Sequence, residues 1–129
     1  MSMSGINKII LLGNVGKDPD IRTLEGGVMV ASFPLATNEN FRDKASGELK
    51  TQTEWHNIVM WRNVAQSLEK SKLQKGDRVY LEGKIKTRKW TDRDSQERIA
   101  FEIVADTFTV INRKRVATEA GEVGDTEGE

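Results

Sequence analysis

Three tryptophans and a cluster of basic residues lie in two segments of the chain that alternate as β-strands do. The segments are Glu54–Arg62 and Lys84–Trp90. Successive side chains of a strand point to opposite faces, so Trp55 and Trp61 are expected to share one face of the first segment, opposite Ile58. One face of the second segment is made of Lys84, Lys86, Arg88 and Trp90. Both segments therefore place indole rings on a β surface, and the second adds a row of cations.

Indole rings beside cations suit the binding of an unpaired nucleic acid strand. Any base can stack on an aromatic ring, and the cations can contact the phosphates. The alternative is that the tryptophans are core anchors, because a buried indole contributes a large apolar area. However, Ile58 and Met60 can already fill the inward face of the first segment, and a core would not accept the unpaired cations that share a face with Trp90. The pattern therefore favours a binding surface.

Composition indicates one soluble, intracellular domain. A chain of 129 residues has an ordinary length for a single domain, and no apolar run is long enough to span a bilayer. The sequence has no cysteine, which leaves no disulfide framework, thiolate metal site or thiol nucleophile. We therefore expect a cytoplasmic protein that does not contact a membrane.

The net charge of zero conceals an asymmetry between two parts of the chain. Residues 116–129 hold five of the 20 acidic residues and none of the 20 basic ones, so residues 1–115 carry a net charge of +5. A basic body is typical of proteins that bind a polyanion, whereas a short acidic segment rich in glycine is too polar to pack. We therefore predict a folded domain over residues 1–115 and a disordered acidic tail over residues 116–129.

Three features that resemble catalytic or metal-binding signatures are incomplete. Gly13–Asp18 follows a predicted strand but has two residues between its glycines, where a phosphate-binding loop needs four. Asp92–Ser95 begins like a calcium loop, yet neither the required glycine nor the bidentate acid follows. His56 is the only histidine, and its inward position favours a hydrogen-bonded structural role. We therefore predict a binding protein, not an enzyme, without a metal or cofactor.

The hydrophobic pattern predicts an all-β fold of about five strands. The predicted strands are Gly5–Asn14, Val28–Asn38, Trp55–Arg62, Asp77–Trp90 and Glu97–Asn112. Ile21–Leu24 is a candidate for a further short strand. Pro34 cannot donate a ladder hydrogen bond, so an edge or a bulge is expected there. Residues 39–53 are polar and predict an exposed hairpin loop.

One helix is predicted over Asn63–Leu73, where Ala65 and Leu68 fall at helical spacing. Asn63 is the expected N-cap, and Gly76 is the expected end signal. One short helix between the third and fourth strands is typical of the OB-fold, a five-stranded Greek-key barrel that binds oligonucleotides. We therefore predict an OB-fold barrel with long β-hairpin loops.

Four stretches of the chain carry a specific combination of motifs. They are Asn7–Pro19, Leu35–Asn38, Gln52–His56 and Thr87–Asp92. In this combination, the chain resembles the bacterial-type single-stranded DNA-binding protein family over about Ile6–Arg113. The resemblance implies an OB-fold subunit of a homotetramer. It also implies that the tetramer carries single-stranded DNA on its outside and protects it during replication, recombination and repair.

The resemblance also implies roles for particular residues. The base-stacking aromatics would be Phe41, Trp55, Trp61 and Trp90. The phosphate contacts would be Lys44, Arg62, Lys84, Lys86 and Arg88, with Lys8, Arg22 and Lys50 as secondary candidates. His56 corresponds to a family histidine that supports subunit assembly. The family commonly ends in an acidic tip with a proline and an aromatic residue that binds replication and repair enzymes. The acidic tail of this chain lacks both, so the resemblance implies contacts with replication and repair proteins only weakly.

Two other functions remain open on the sequence. The first is an RNA-binding OB-fold module, which equal affinity for matched RNA and DNA strands would indicate. The second is an assembly protein or primosome-type adaptor of the same fold, in which the tryptophans would pack against another protein. Tryptophan fluorescence that responds to a protein partner but not to an oligonucleotide would indicate the adaptor.

Overall fold

The computed structural model describes residues 3–113 of the chain. The strands are β1 (Ile9–Val15), β2 (Asp20–Thr23), β3 (Met29–Arg42), β4 (Leu49–Trp61), β5 (Arg78–Thr91) and β6 (Glu97–Asn112). A short 3₁₀ turn (Glu25–Gly27) joins β2 to β3, and an α-helix, α1 (Asn63–Ser71), joins β4 to β5. The acidic tail predicted over residues 116–129 lies outside the described residues.

The strands close into a barrel. Their order in the sheet is β1-β5-β6-β4-β3-β2, and β1 also pairs with β3, where Asn14 lies opposite Ala36 and Val15 opposite Leu35. β4 and β6 run parallel, whereas the other pairs are antiparallel. The main strands β1, β3, β4, β5 and β6 form the barrel, and β2 adds a short partner to β3. The predicted OB-fold is confirmed, with its helix between the third and fourth main strands.

The barrel interior is filled by inward side chains of the main strands. The buried strand residues that form this core are Val15, Ala31, Phe33, Leu35, Ile58, Met60, Val79, Leu81, Ile103 and Ala105. The helix α1 packs against β3, β4 and β6 and adds Ala65 and Leu68 to the same core. Full burial of one large apolar side chain contributes about 1.5–3 kcal/mol. The core therefore gives the outward residues of β4 a rigid support.

Pro34 lies where β3 changes partner. Residues before it pair with β2, and residues after it pair with β1. The Pro34 carbonyl accepts a hydrogen bond from the Gly16 N–H at 2.8 Å. The N–H and C=O groups of one strand residue point to the same side, so the missing donor of Pro34 faces the gap between β1 and β2. The ladder to β4 is thus unaffected, in agreement with the predicted edge position.

The helix forms as predicted, but both of its predicted end signals are wrong. Asn63 is the first helical residue and not the N-cap, because the preceding Arg62 takes that position and makes no side-chain capping hydrogen bond. At the other end, Lys72 adopts the left-handed conformation with φ 58° and donates its N–H to the Glu69 carbonyl. Gly76, with φ 93°, belongs to the turn before β5.

The two β-hairpins extend well beyond the barrel. Residues 39–53, predicted as an exposed loop, are exposed except for the half-buried Asp43. They remain paired in the β3–β4 ladder as far as the last residue of β3. Side-chain hydrogen bonds join Thr51 to Asn40 at 2.8 Å and Thr53 to Asn38 at 2.7 Å across this ladder. Such cross-strand pairs let polar residues stabilise a hairpin that has no core beneath it. The β5–β6 hairpin forms a second arm of the same kind.

Candidate nucleic-acid interface

Two of the three tryptophans project from the outer face of β4. Trp55 is 61% exposed and Trp61 is 41% exposed. Ile58 and Met60, on the inner face, are fully buried. The register between β3 and β4 runs without a shift along the whole of β4, so the alternation predicted from the sequence holds. Val59 shares the outer face but is buried, because it lies in the floor of a groove.

This groove has a volume of about 400 Å³ and is lined by Trp61. Two ion pairs also line it. From β2, Arg22 Nε lies 3.0 Å from Asp20 Oδ2. From the β5–β6 hairpin, Arg88 Nε lies 2.7 Å from Glu102 Oε2. The groove therefore combines an aromatic surface with cations that are already paired.

The third tryptophan lies on the β5–β6 arm. One face of β5 holds Lys84, Lys86, Arg88 and Trp90, all of them exposed. The guanidinium carbon of Arg88 is 4.7 Å from the centroid of the Trp90 ring. At this distance the cation is attracted by the electron-rich face of the indole. A predicted phosphate contact thus rests on a predicted base-stacking ring.

The opposite face of this arm is apolar. Ile85, Ile99 and Phe101 are exposed there, Phe101 to 65%. They continue the inward row of Ile103 and Ala105, which are buried in the barrel. The alternation in the sequence places these residues on one face correctly. The alternation does not show that the outer part of this face lies beyond the barrel. There, no other part of residues 3–113 covers it.

The structure does not bring Phe41 onto the face that holds the tryptophans of β4. Trp55 lies opposite Ala36, so the even-numbered residues of β3 share its face and Phe41 lies on the other face of the hairpin. Phe41 is 42% exposed and lies opposite Lys50. Lys44 belongs to the turn at the tip of the same hairpin. These three residues form a group separate from the indoles of β4.

The three secondary cations are all engaged in ion pairs. The pairs are Lys8 with Glu82 at 3.1 Å, Arg22 with Asp20 at 3.0 Å, and Lys50 with Asp43 at 3.9 Å. The Tyr80 hydroxyl also donates to Glu82, and this hydrogen bond together with Lys8 lowers the pKa of the Glu82 carboxyl. A phosphate would have to compete with these carboxylates for the three cations.

Arg62 has an unusual backbone conformation at the end of β4. Its φ of 55° and ψ of −120° lie outside the regions that L residues ordinarily adopt. Its N–H donates to the Met29 carbonyl at 2.7 Å, and its carbonyl accepts from the Gln66 N–H at 2.9 Å. Backbone contacts to β3 and to α1 therefore hold Arg62 in place, with its side chain exposed.

His56 lies on the inner side of the ladder, behind the indoles. Its Nε2 is 2.9 Å from Oγ1 of Thr37 in β3, and the residue is half-buried. The predicted hydrogen bond of His56 is therefore present, with Thr37 as its partner. Its role at a subunit interface stays a prediction.

The described residues provide aromatic rings for stacking and cations for ion pairing. Residues 3–113 contain no group of metal-binding side chains close enough together to hold an ion. No helix in this part of the chain has the length and apolar character needed to cross a membrane.

The chain matches a known family along most of its length. Residues 6–111 fit the single-strand binding protein family. A Plasmodium falciparum SSB, solved in complex with single-stranded DNA, is 43% identical with a TM-score of 0.74, and the match covers 88% of this chain and 100% of that chain. A deletion mutant of the Thermus aquaticus single-stranded DNA binding protein is 22% identical with a TM-score of 0.72, and the match covers 85% of this chain and 52% of that chain. At this identity the second match supports the fold alone. The chain belongs to the single-strand binding protein family.

Proposed function

We propose that this protein binds single-stranded DNA by stacking bases on Trp55, Trp61 and Trp90 while neighbouring cations contact the phosphates. Single-stranded DNA binding follows from its family. The stacking mechanism is supported by the exposure of Trp55 on a strand whose inner face is the barrel core. An indole on such a rigid support is accessible before the DNA arrives, so a base can stack on it without any rearrangement of β4.

The energetics favour unpaired strands. Stacking a base on an aromatic side chain contributes about 1–3 kcal/mol. Contacts between phosphates and Lys or Arg add an electrostatic contribution that falls as salt rises. Duplex DNA should bind far more weakly, because its bases already stack on one another and cannot reach the indoles. We propose binding without catalysis, and this mechanism requires no cofactor.

We propose that a larger set of residues contacts the bound DNA strand along its length. The proposed phosphate contacts are Lys44, Arg62, Lys84, Lys86 and Arg88, with Lys8, Arg22 and Lys50 in secondary roles. Phe41 is the proposed fourth stacking residue. Since Phe41 and Trp55 lie on opposite faces of the β3–β4 hairpin, a strand that contacts both must pass around the edge of this hairpin.

We also propose that the protein assembles as a homotetramer. β1 pairs with β5 along one edge and with β3 along the other, but the pairing with β3 involves only Asn14 and Val15. On the edge that faces β3, the earlier residues of β1 therefore have no strand partner among residues 3–113. On the outer face of β1, Ile10 is 58% exposed and Leu12 is 45% exposed. A free strand edge beside exposed apolar side chains is a surface that a second copy can cover. His56 is the proposed polar contributor to subunit contacts.

In the cell, such an assembly would cover and protect single-stranded DNA during replication, recombination and repair. We therefore propose a location with the DNA, in the cytoplasm at the nucleoid. Contacts with replication and repair proteins would depend on residues 116–129, which lack the family's proline and aromatic residue.

Fluorescence anisotropy of a dye-labelled oligonucleotide tests the choice of ligand. One sequence is titrated as single-stranded DNA, as duplex DNA and as RNA, each at low and high salt. We expect tight binding of the DNA strand that weakens with salt, and much weaker binding of the duplex. Equal affinity for the RNA strand would support the RNA-binding module. Absence of binding to all three would favour the protein adaptor.

A further inference from the structure

Arg88 is held by two groups on the outer face of the β5–β6 arm. Its Nε donates a hydrogen bond to Oε2 of Glu102 at 2.7 Å, and its guanidinium lies over Trp90 at 4.7 Å. The Glu102 side chain is only 16% exposed, whereas that of Arg88 is 54% exposed. A carboxylate that is largely withdrawn from water needs a cationic partner. Arg88 is therefore neutralised and positioned by the protein before any ligand binds.

Glu102 pairs with Arg88 although a different cation lies directly opposite it. In the ladder, Glu102 lies opposite Lys86, and Arg88 lies opposite Ala100. The small side chain of Ala100 leaves room for the guanidinium to reach diagonally to Glu102. Within residues 3–113, Lys84 and Lys86 form no salt bridge. The same face thus carries two unpaired lysines and one arginine with its own carboxylate.

The pairing is repeated across the groove. Arg22 and Asp20 form an ion pair on one side, and Arg88 and Glu102 form one on the other. The charged side chains that line the groove therefore sum to zero, although the body of the protein is basic. Carboxylates within a surface that binds a polyanion weaken the attraction of that surface to phosphate. The position of these two carboxylates therefore needs a physical explanation.

We propose that Glu102 is an internal counter-ion for Arg88, which a DNA phosphate must displace when the strand binds. The inference rests on the proposed contact between Arg88 and the strand, and it adds a residue that sets how strongly salt affects that contact. In the free protein Glu102 keeps Arg88 over Trp90. In the complex the phosphate takes the place of the carboxylate.

The exchange has a thermodynamic consequence. A phosphate that meets an unpaired cation releases a condensed counter-ion. Each such contact makes the negative slope of log affinity against log salt steeper by about 0.7 for a single strand. When a phosphate takes Arg88 from Glu102, the carboxylate left behind attracts a cation from solution. The uptake of this cation by Glu102 offsets the release of the counter-ion from the phosphate. Glu102 therefore lowers both the affinity at low salt and the sensitivity of binding to salt.

The substitution Glu102→Gln tests this role. Glutamine preserves the size of the side chain and an acceptor for Arg88 Nε, but removes the charge. We expect binding of oligo-thymidine to tighten about two- to fivefold at low salt, the effect of one partly exposed ion pair. The salt slope should steepen by up to about 0.7. Glu97→Gln makes the same charge change on the opposite face of β6 and should leave affinity and slope unchanged.

The Arg88→Gln variant shows whether Glu102 affects DNA binding through Arg88. Glu102→Gln should give no tightening when it is introduced into Arg88→Gln, with circular dichroism confirming that each variant is folded. Tightening that persists without Arg88 would mean that Glu102 simply repels the strand, which overturns the inference. A salt slope for Glu102→Gln equal to that of Glu97→Gln would overturn it too. Failure of the unaltered protein to bind the oligonucleotide would refute the proposed function itself.

Discussion

The indole ring of Trp55 lies against the backbone of Gly16. A methyl group on Gly16 would stand only 2.9 Å from Cη2 of the ring and 3.4 Å from Cγ of Pro34. The Gly16 N–H donates to the Pro34 carbonyl at 2.8 Å, so this part of the backbone is tied to β3 and cannot easily move away. Glycine therefore leaves room for the ring in this position, since any side chain would occupy the place of the ring.

We predict that Gly16→Ala displaces the Trp55 ring and weakens single-strand binding by about 1 kcal/mol, the lower end of the range for stacking one base. Oligonucleotide titration followed by tryptophan fluorescence measures the loss. Gly5→Ala is the matched control, because a methyl group there meets nothing within 4 Å. Equal affinities for the two variants would mean that the position of the Trp55 ring does not matter for binding.

Arg62 should combine a binding role with a strained backbone. Glycine tolerates its φ of 55° far better than arginine does, and such strain amounts to about 1–3 kcal/mol. Glycine also adds about 0.4–1 kcal/mol of chain entropy to the unfolded state. We predict that Arg62→Gly raises the free energy of unfolding by about 1 kcal/mol while weakening DNA binding. Denaturant unfolding and a salt titration measure the two effects.

Arg62→Ala is the control for this prediction, because alanine removes the charge but keeps a Cβ atom. It should weaken DNA binding as the glycine variant does, without any gain in stability. If Arg62→Gly and Arg62→Ala were equally stable, the backbone at this position would not be strained.

The turn between β5 and β6 should respond to acid. Oδ1 of Asp92 accepts hydrogen bonds from the N–H groups of Asp94 and Gln96, both at 2.9 Å, and Oδ2 accepts one from Arg98 Nε at 2.7 Å. The hydrogen bond from Arg98, and then that from Gln96, lower the pKa of Asp92. The folded state therefore favours the ionised carboxylate. Its stabilisation is complete above the ordinary aspartate pKa of about 3.9 and is lost as the pH falls through the lowered value.

An NMR titration of the backbone amide of Gln96 checks this expectation. Its chemical shift should change with a midpoint below about 3.9. The change should persist in Asp94→Asn and disappear in Asp92→Asn. A midpoint at or above the ordinary value would show that the charged form of Asp92 does not stabilise the turn.

Assembly should depend on the outer face of β1. We predict that Leu12→Lys reduces the molecular mass in solution from that of a tetramer, because it places a charge on the exposed apolar surface proposed to meet a second copy. Light scattering measures the mass. Ile99→Lys introduces the same change at a residue that is 57% exposed on the β5–β6 arm, and it should leave the mass unchanged. A tetramer that survives Leu12→Lys would place the subunit contacts elsewhere.

Alternation along a strand is sufficient to predict the exposed indoles of β4. The β3–β4 ladder has no register shift, so the period of two holds along the strand, and Ile58 and Met60 identify its inner face. Phe41 is different, because its face depends on the register across a turn. The family resemblance groups Phe41 with the tryptophans as a stacking residue, whereas the ladder places it on the other face from Trp55.

Other features depend on contacts that no local pattern contains. Glu102 reaches Arg88 diagonally across two strands, and Gly16 meets Trp55 from a different part of the chain. The N-cap prediction at Asn63 is wrong because backbone contacts from β3 and α1 hold the preceding residue in the capping position. Local propensity therefore predicts the elements well, but not the pairs of distant residues that position the site.

The most direct test of the account is quenching of tryptophan fluorescence by oligo-thymidine, with a duplex of the same length as control, at low and high salt. We predict strong quenching by the single strand only, reduced by salt. Trp55→Ala should weaken binding, with circular dichroism and light scattering unchanged. Fluorescence that does not respond to the single strand, or full affinity in Trp55→Ala, would contradict base stacking on the outer face of β4.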